Sequence, residues 1–283
     1  MKHMVLFLSA LNMIISSSFA GTGGVASSSP TNQTGFFVGL GGAYNRVQIN
    51  SDTSGILNAI SGFPPTGLFW GRTGEYSNTK QAFAPEARAG YFQPFKRSDW
   101  IWGLEFLYQY SRIKKTAYGG TMAPGTYINM INPNENVTNK LSISAIQTRV
   151  RDELMLPVFI GHTFSNSFIY LGAGPSLFRT QHTMYSGSDG LSGYYIGEFT
   201  GLANTKWVWG GAVQTGIAYY LNSSWFLKFN YSYARTGHYK INNFVAFSPE
   251  VNGGLNAGNV FFRSSYRLVA QEVALSINKV FAL

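Results

Sequence analysis

An all-β fold, a transmembrane antiparallel up-and-down β-barrel of eight strands, is predicted by three features of this sequence. The first is its last stretch. Val269, Val273, Leu275, Ile277, Phe281 and Leu283 fall on one face of a period-two pattern, and Glu272, Ser276 and Asn278 on the other. Such alternation marks a strand rather than a helix. A strand with one apolar and one polar face, long enough to cross lipid, is the unit of a transmembrane barrel. The second feature is that similar segments recur, joined by connections that are alternately short and long. The third is composition. Charged residues make up 12% of the chain and aromatic residues 16%. That is about half the usual charge, as suits a wall facing lipid.

The N-terminus reads as an export signal occupying residues 1–20. Lys2 and His3 give a basic start, Met4 to Ile15 form a short apolar run, and Ser18 and Ala20 place small residues where a signal peptidase cuts. The run is too short to span a bilayer. Residues 21–34 are rich in Gly, Ser and Thr and form a flexible lead-in; residues 35–283 form the barrel. The chain has no Cys, which excludes a lipid-modified cysteine, disulfides and thiolate metal sites. Its formal net charge is +9. An exported chain without a Lys/Arg run is nevertheless not read as a nucleic-acid binder.

The strands follow in order. In the first, Phe36, Val38, Leu40 and Tyr44 point out, while Gly39, Gly41 and Ala43 point into a narrow lumen where volume is scarce. The second runs from Gln81 to Phe92. Phe83, Pro85, Ala87, Ala89 and Tyr91 are outside, Glu86, Arg88 and Gly90 inside, and Pro85 marks a bulge. The third alternates Trp100, Trp102, Leu104, Phe106, Tyr108 and Tyr110 with inward residues that include Glu105. The fourth spans Leu141 to Phe164. Val150, Leu154, Leu156, Val158 and Ile160 are read as outward, and Gln147, Arg149, Arg151, Glu153 and Pro157 as inward. Asp152 is then out of place unless it lies beyond the lipid or beside a bulge. The fifth, Phe168 to Arg179, puts Tyr170, Gly172 and Gly174 inside. The sixth, Lys206 to Leu221, has Trp207, Trp209, Val213, Ile217 and Tyr219 outside. The seventh points Lys228, Asn230 and Ser232 inward. The eighth is the terminal stretch.

Short connections lie near 93–99, 163–167 and 221–224, and long ones at 48–78, 115–139, 180–205 and 241–261. Short periplasmic turns with long outer loops are the topology of outer-membrane barrels. Segments 48–78 and 115–139 are long enough to hide strand extensions, so ten strands is the alternative. The segments Gly35-Phe36-Phe37-Val38-Gly39-Leu40-Gly41, Tyr219 to Tyr233 and Ala274 to Phe281 resemble the small outer-membrane β-barrel family that includes OmpA, OmpX and opacity-type surface proteins. The resemblance covers residues 35–283 and is specific for architecture, not activity. It implies an outer-membrane location and recognition of the C-terminus by the barrel-assembly machinery. Members end on an aromatic residue, whereas here Phe281 is followed by Ala282 and Leu283, the latter in the same phase.

Two sets of candidate site residues emerge. Glu86, Arg88, Glu105, Arg149, Arg151, Glu153, Lys228 and Glu272 all fall in the inward phase. Buried charges must pair, so they are read as a lumenal salt-bridge plug, with a gated polar channel as the alternative. Arg46, Arg112, Lys114, Lys115, Arg179, Lys206, Arg235 and Lys240, with Arg263 and Arg267, cluster at strand tops. Lipopolysaccharide phosphates lie at that level of an outer membrane, and each cation near an anionic surface gains about 1 kcal/mol. Outward Trp and Tyr residues form two interfacial girdles.

Catalysis finds little support. His162-Thr163-Phe164-Ser165-Asn166 resembles the His-x-Ser-Asn of lipid-A deacylases, but one extra residue turns the Ser to the other face. His182 and His238 lack a paired acid at strand spacing. No cofactor and no metal are expected. The leading reading is a monomer that presents its loops at the cell surface, structurally or as an adhesin for a host-surface ligand. Loop 180–205, with Tyr185, Tyr194, Tyr195 and Phe199 among Gly and Ser, suits adaptable binding. A small-solute or ion channel is the alternative, and a lipid-modifying enzyme a distant third.

Overall fold

The computed structural model describes residues 34–61, 67–72, 76–121, 125–129, 137–139, 142–186, 202–248, 250 and 257–283. The export signal (1–20), the lead-in up to residue 33, and Tyr194, Tyr195 and Phe199 lie outside the described residues. The strands are β1 (Gly35–Ser61), β2 (Gly67–Arg72), β3 (Tyr76–Pro94), β4 (Trp100–Thr121), β5 (Gly125–Asn129), β6 (Val137–Asn139), β7 (Ser142–Met155), β8 (Val158–Thr163), β9 (Ser167–Ser186), β10 (Leu202–Asn222), β11 (Trp225–Thr236), β12 (Tyr239–Phe247) and β13 (Ala257–Ala282).

Eight strand positions close a ring. β1 pairs with β3, β3 with β4, β4 with β7 and β8, both of these with β9, then β10, β11 and β13 follow, and β13 returns to β1. Every pairing is antiparallel. β7 and β8 are two halves of one wall strand, parted at Leu156-Pro157 because proline has no N–H to give the ladder. The wall stays bonded there: Leu156 N donates to Pro175 O at 3.0 Å and Glu105 N to Pro157 O at 3.0 Å. β12 continues β11 along β13, and β2, β5 and β6 flank the upper end of β1. The additional strands therefore lengthen or flank the eight-strand ring and do not make it ten.

The segments expected as long loops are in large part strand. β1 runs to Ser61, β4 to Thr121 and β9 to Ser186, while β12 and the start of β13 fill much of 241–261. The reason is an inversion of the pattern. Toward the short turns the exposed side chains are apolar, as with Leu40 (69% exposed). Above Tyr44 the alternation continues with reversed polarity. Val47 and Ile49 are buried inside, and Arg46 is exposed outside. The same switch occurs on β4, where Phe106 gives way outside to Arg112 and Lys114 while Ile113 is buried, and on β13, where Tyr266 and Leu268 are buried while Arg267 is half-buried and Arg263 exposed. The lower barrel presents an apolar wall outward, the arrangement that lipid would stabilise. The upper barrel is largely apolar within and polar without, like a water-soluble one, apart from exposed Ile56, Phe244 and Phe261 toward the strand tips.

Pro85 sits without a bulge, since the β1–β3 register runs unshifted through Gly42↔Pro85. It is tolerated because the β3–β4 ladder begins one residue lower, at Glu86↔Gln109, so Pro85 owes no N–H to β4. Above that point β3 pairs with β1 and β4 with β7. Within the middle of the wall, register shifts fall between Tyr110 and Ile113 on β4 and between Val150 and Asp152 on β7; others lie near the strand ends, at Ala59/Ser61, Ile143/Ala145 and Tyr220/Asn222.

Candidate functional sites in the lumen and on the outer wall

The lumen is filled in three layers. At the short-turn end Phe37, Phe92, Ile101, Phe159, Phe168, Tyr170, Tyr220 and Phe226 form a buried, largely aromatic cluster. Their rings meet edge-on or tilted, as with Phe37–Phe226 at 5.5 Å and Phe159–Tyr170 at 5.5 Å. Toward the long-loop end a second cluster includes Val47, Ile49, Leu107, Ile113, Val150, Met155, Phe178, Tyr266 and Leu268. Sequence reasoning missed both layers by treating the lumen as polar. The signal was present in inward-phase residues such as Ile101 and Leu107.

Between them lies the charged layer, with Arg88 at its centre. Its guanidinium forks onto Glu86, with Nε to Oε1 at 2.7 Å and Nη2 to Oε2 at 2.9 Å. Nη1 donates to Glu105 Oε1 at 2.9 Å, and Nη2 also reaches Asn230 Oδ1 at 2.6 Å. Lys228 Nζ donates to the other oxygen of Glu105, which also accepts from Gln214 Nε2 at 3.2 Å. The same ammonium stands 4.3 Å from the Tyr170 ring centroid, which ties the charged layer to the aromatic one below. Glu272 is buried at the edge of the cluster, its Oε1 4.0 Å from Arg88 Nη2. Glu153 is buried on β7 opposite Gln109.

Arg149 and Arg151 lie elsewhere. The register shift between Val150 and Asp152 inverts the phase of β7 above Glu153, so Val150 is fully buried inside and Arg149 falls opposite Lys114 in the outward phase. Arg151 is the extra, half-buried residue of the shift. The same bulge accounts for Asp152. It pairs with outward Tyr110, accepts from Tyr108 OH at 2.8 Å and lies 3.5 Å from Arg179 Nη1. Among the described residues the buried middle layer thus holds the carboxylates of Glu86, Glu105, Glu153 and Glu272 against the cations of Arg88 and Lys228.

On the outer wall Arg46, Arg112, Lys114, Arg179, Arg235 and Lys240 occupy the outward phase, and Lys115 and Lys206 the inward phase near the upper end. Arg112 has φ 48° and lies 4.7 Å from the Tyr110 ring centroid. Arg179 stands over Trp207 at 6.0 Å. On the opposite side a cavity of ≈ 540 Å³ is lined by Asp52, Arg72, His238, Lys240, Arg263 and Arg267, among others. Asp52 is held by Arg72, with Nη2 at 2.6 Å. Girdle residues toward the short turns pack together, as with Tyr91–Trp102 at 6.0 Å and Trp100–His162 at 5.2 Å. His162 therefore belongs to that aromatic belt. His182 is buried in the upper barrel, bonded to Thr148 Oγ1 at 3.1 Å and Tyr239 OH at 3.0 Å, with its ring 4.0 Å from that of Tyr266 at a tilt of 33°. Among the described residues no three His, Asp or Glu side chains come together as a metal cage.

No protein-family model matches this chain, and no curated protein matches it. Solved structures do. The outer membrane protein OprG from Pseudomonas aeruginosa aligns over 90% of this chain and 99% of its own, at 12% identity and a TM-score of 0.40. Neisserial surface protein A, NspA, aligns over 80% of this chain and 95% of its own, at 14% identity and a TM-score of 0.30. Ail, the attachment invasion locus protein of Yersinia pestis, solved with the heparin analogue sucrose octasulfate, aligns over 80% and 98%, at 9% identity and a TM-score of 0.29.

Proposed function

We propose that this outer-membrane β-barrel works through its outer surface, as a structural or adhesive protein, and that its lumen does not conduct. The observation that carries this reading is the filled lumen: an aromatic layer, a charged layer and an aliphatic layer stacked along its axis. A continuous water path would have to breach both apolar layers. The strand extensions support the same reading. β1 has 27 residues, against the roughly 9–11 needed to cross lipid. The surplus, at about 3.3 Å per residue and a tilt of roughly 40°, lifts the strand tips about 40 Å above the bilayer. The barrel inserts as a monomer after export with a cleaved signal, Phe281 and Leu283 offering an outward apolar end to the assembly machinery. Outward cations meet lipopolysaccharide, and the cavity lined by Lys240, Arg263 and Arg267 suits an anionic surface ligand.

Purified protein in planar bilayers is expected to give no steady conductance. Reproducible unitary steps that change when Phe226 is replaced by Ala would establish the channel reading instead. An epitope inserted within residues 251–256 should be reached by antibody on intact cells, whereas one at Asn222-Ser223-Ser224 should be reached only after the outer membrane is breached. The reverse pattern would invert the orientation and end the adhesive reading.

A further inference from the structure

We propose that the outer wall where β4, β7 and β9 adjoin is a binding site for the phosphorylated sugar headgroup of outer-leaflet lipopolysaccharide, held by Arg112, Lys114, Arg149 and Arg179. The inference rests on the outer-membrane reading and narrows a diffuse basic surface to one site.

Four observations carry it. Lys114 and Arg149 are direct cross-strand partners, and like charges so placed repel unless an anion lies between them. One carboxylate, Asp152, stands near them, and it is engaged by Tyr108 OH at 2.8 Å and by Arg179 at 3.5 Å. Arg149 Nε is buried without a hydrogen-bond partner, a donor in want of an acceptor. Lastly, the local backbone is shaped to bring these cations outward. β4 and β7 shift register at the same level, and Arg112 holds φ 48°, a left-handed conformation costly for a side chain of its size. Bulges re-aim side chains, and here the re-aiming turns Arg149 from the lumen to the wall.

The level selects the ligand. Tyr108, Tyr110 and Trp207 lie outward at this height and Phe106 just below, so the cations stand where an aromatic girdle gives way to headgroups. Guanidinium forks match phosphate oxygens in pairs. A headgroup with two phosphates on a rigid sugar would bridge Lys114–Arg149 and Arg112 at once.

The test uses the full chain folded in neutral detergent. Bisphosphorylated lipid A, dephosphorylated lipid A and inorganic phosphate are titrated separately, with binding read by native mass spectrometry. Bisphosphorylated lipid A should bind. The dephosphorylated form should not, and inorganic phosphate should compete only weakly. Lys114→Gln combined with Arg149→Gln should weaken lipid A binding about tenfold or more, the scale of losing one or two charge-assisted hydrogen bonds. Lys96→Gln combined with Arg97→Gln, in the exposed short turn at the opposite end of the barrel, should leave it within about twofold. Should the double variant fold poorly, the exposed single change Lys114→Gln is read in its place. Equal binding of the dephosphorylated lipid, equal losses in the two double variants, or inorganic phosphate binding as tightly as the lipid would each overturn the proposal. A chain that showed no heat-dependent shift in gel mobility would count instead against the barrel reading, independently of phosphate.

Discussion

Arg88→Met is expected to lower the unfolding temperature of the barrel more than any single substitution on its outer wall. Arg88 is buried and makes four hydrogen bonds, two to Glu86, one to Glu105 and one to Asn230. Removing the guanidinium leaves Lys228 as the only cation facing the carboxylates of the middle layer among the described residues. Breaking a buried pair by deleting one partner costs about 3–5 kcal/mol, because the remaining charge stays desolvated. The loss should be read as a fall in the temperature at which the folded, fast-migrating form disappears on gels. Lys240→Met, at an exposed position, is expected to shift that temperature little. Arg88→Met combined with Glu86→Gln should recover part of the loss, since it removes one of the stranded charges. If Arg88→Met and Lys240→Met behave alike, the middle layer is hydrated and the idea of a dry plug fails.

The second large effect is steric. Gly103 lies inside the aromatic layer, and a Cβ there would stand 2.4 Å from Phe159 Cζ and 2.4 Å from the carbonyl oxygen of Tyr91. The carbonyl belongs to the neighbouring strand and cannot move without breaking the ladder. Gly103→Val should therefore cost at least the 1–3 kcal/mol typical of overpacking and reduce the yield of refolded barrel sharply. Gly211 offers the matched control. It faces outward, and a Cβ there would meet nothing within 4 Å. Gly211→Ala should refold like the parent, and comparable losses in the two variants would mean that the aromatic layer is loosely packed.

The strand phases of the lower barrel were legible because lipid imposes a strict contrast between the two faces. Trp100 to Tyr110 needed no more than a period of two. The upper barrel was harder to read. Above Tyr44 and Tyr110 the apolar face turns inward, and a reader following outward apolar residues takes the end of that contrast for the end of the strand. Arg149 and Arg151 were misplaced because parity was carried through Asp152, the one residue whose awkward phase marked the bulge. The full set of Arg88's partners could not be read, although Glu86 stands two residues away on the same face. Glu105 comes close through the β3–β4 pairing, 17 residues away, but Asn230 lies 142 residues away in sequence and only the closure of the ring brings it to Arg88.

That closure has a kinetic consequence. The longest seam in the molecule joins its two ends, running from Gly35↔Ala282 to Ser61↔Ala257 with one register shift near the top. Until β13 arrives, β1 and β11 each keep an open row of N–H and C=O groups along most of their length. The contacts at the seam carry the largest sequence separations of any strand pairing among the described residues, so they are the slowest to form by unaided search. Once zipped, the seam has no free end inside the membrane from which to peel. A barrel joined in this way should fold slowly and, once folded, unfold slowly. A chain that lost its last strand would retain most of its hydrogen bonds and yet offer two sticky edges to its neighbours.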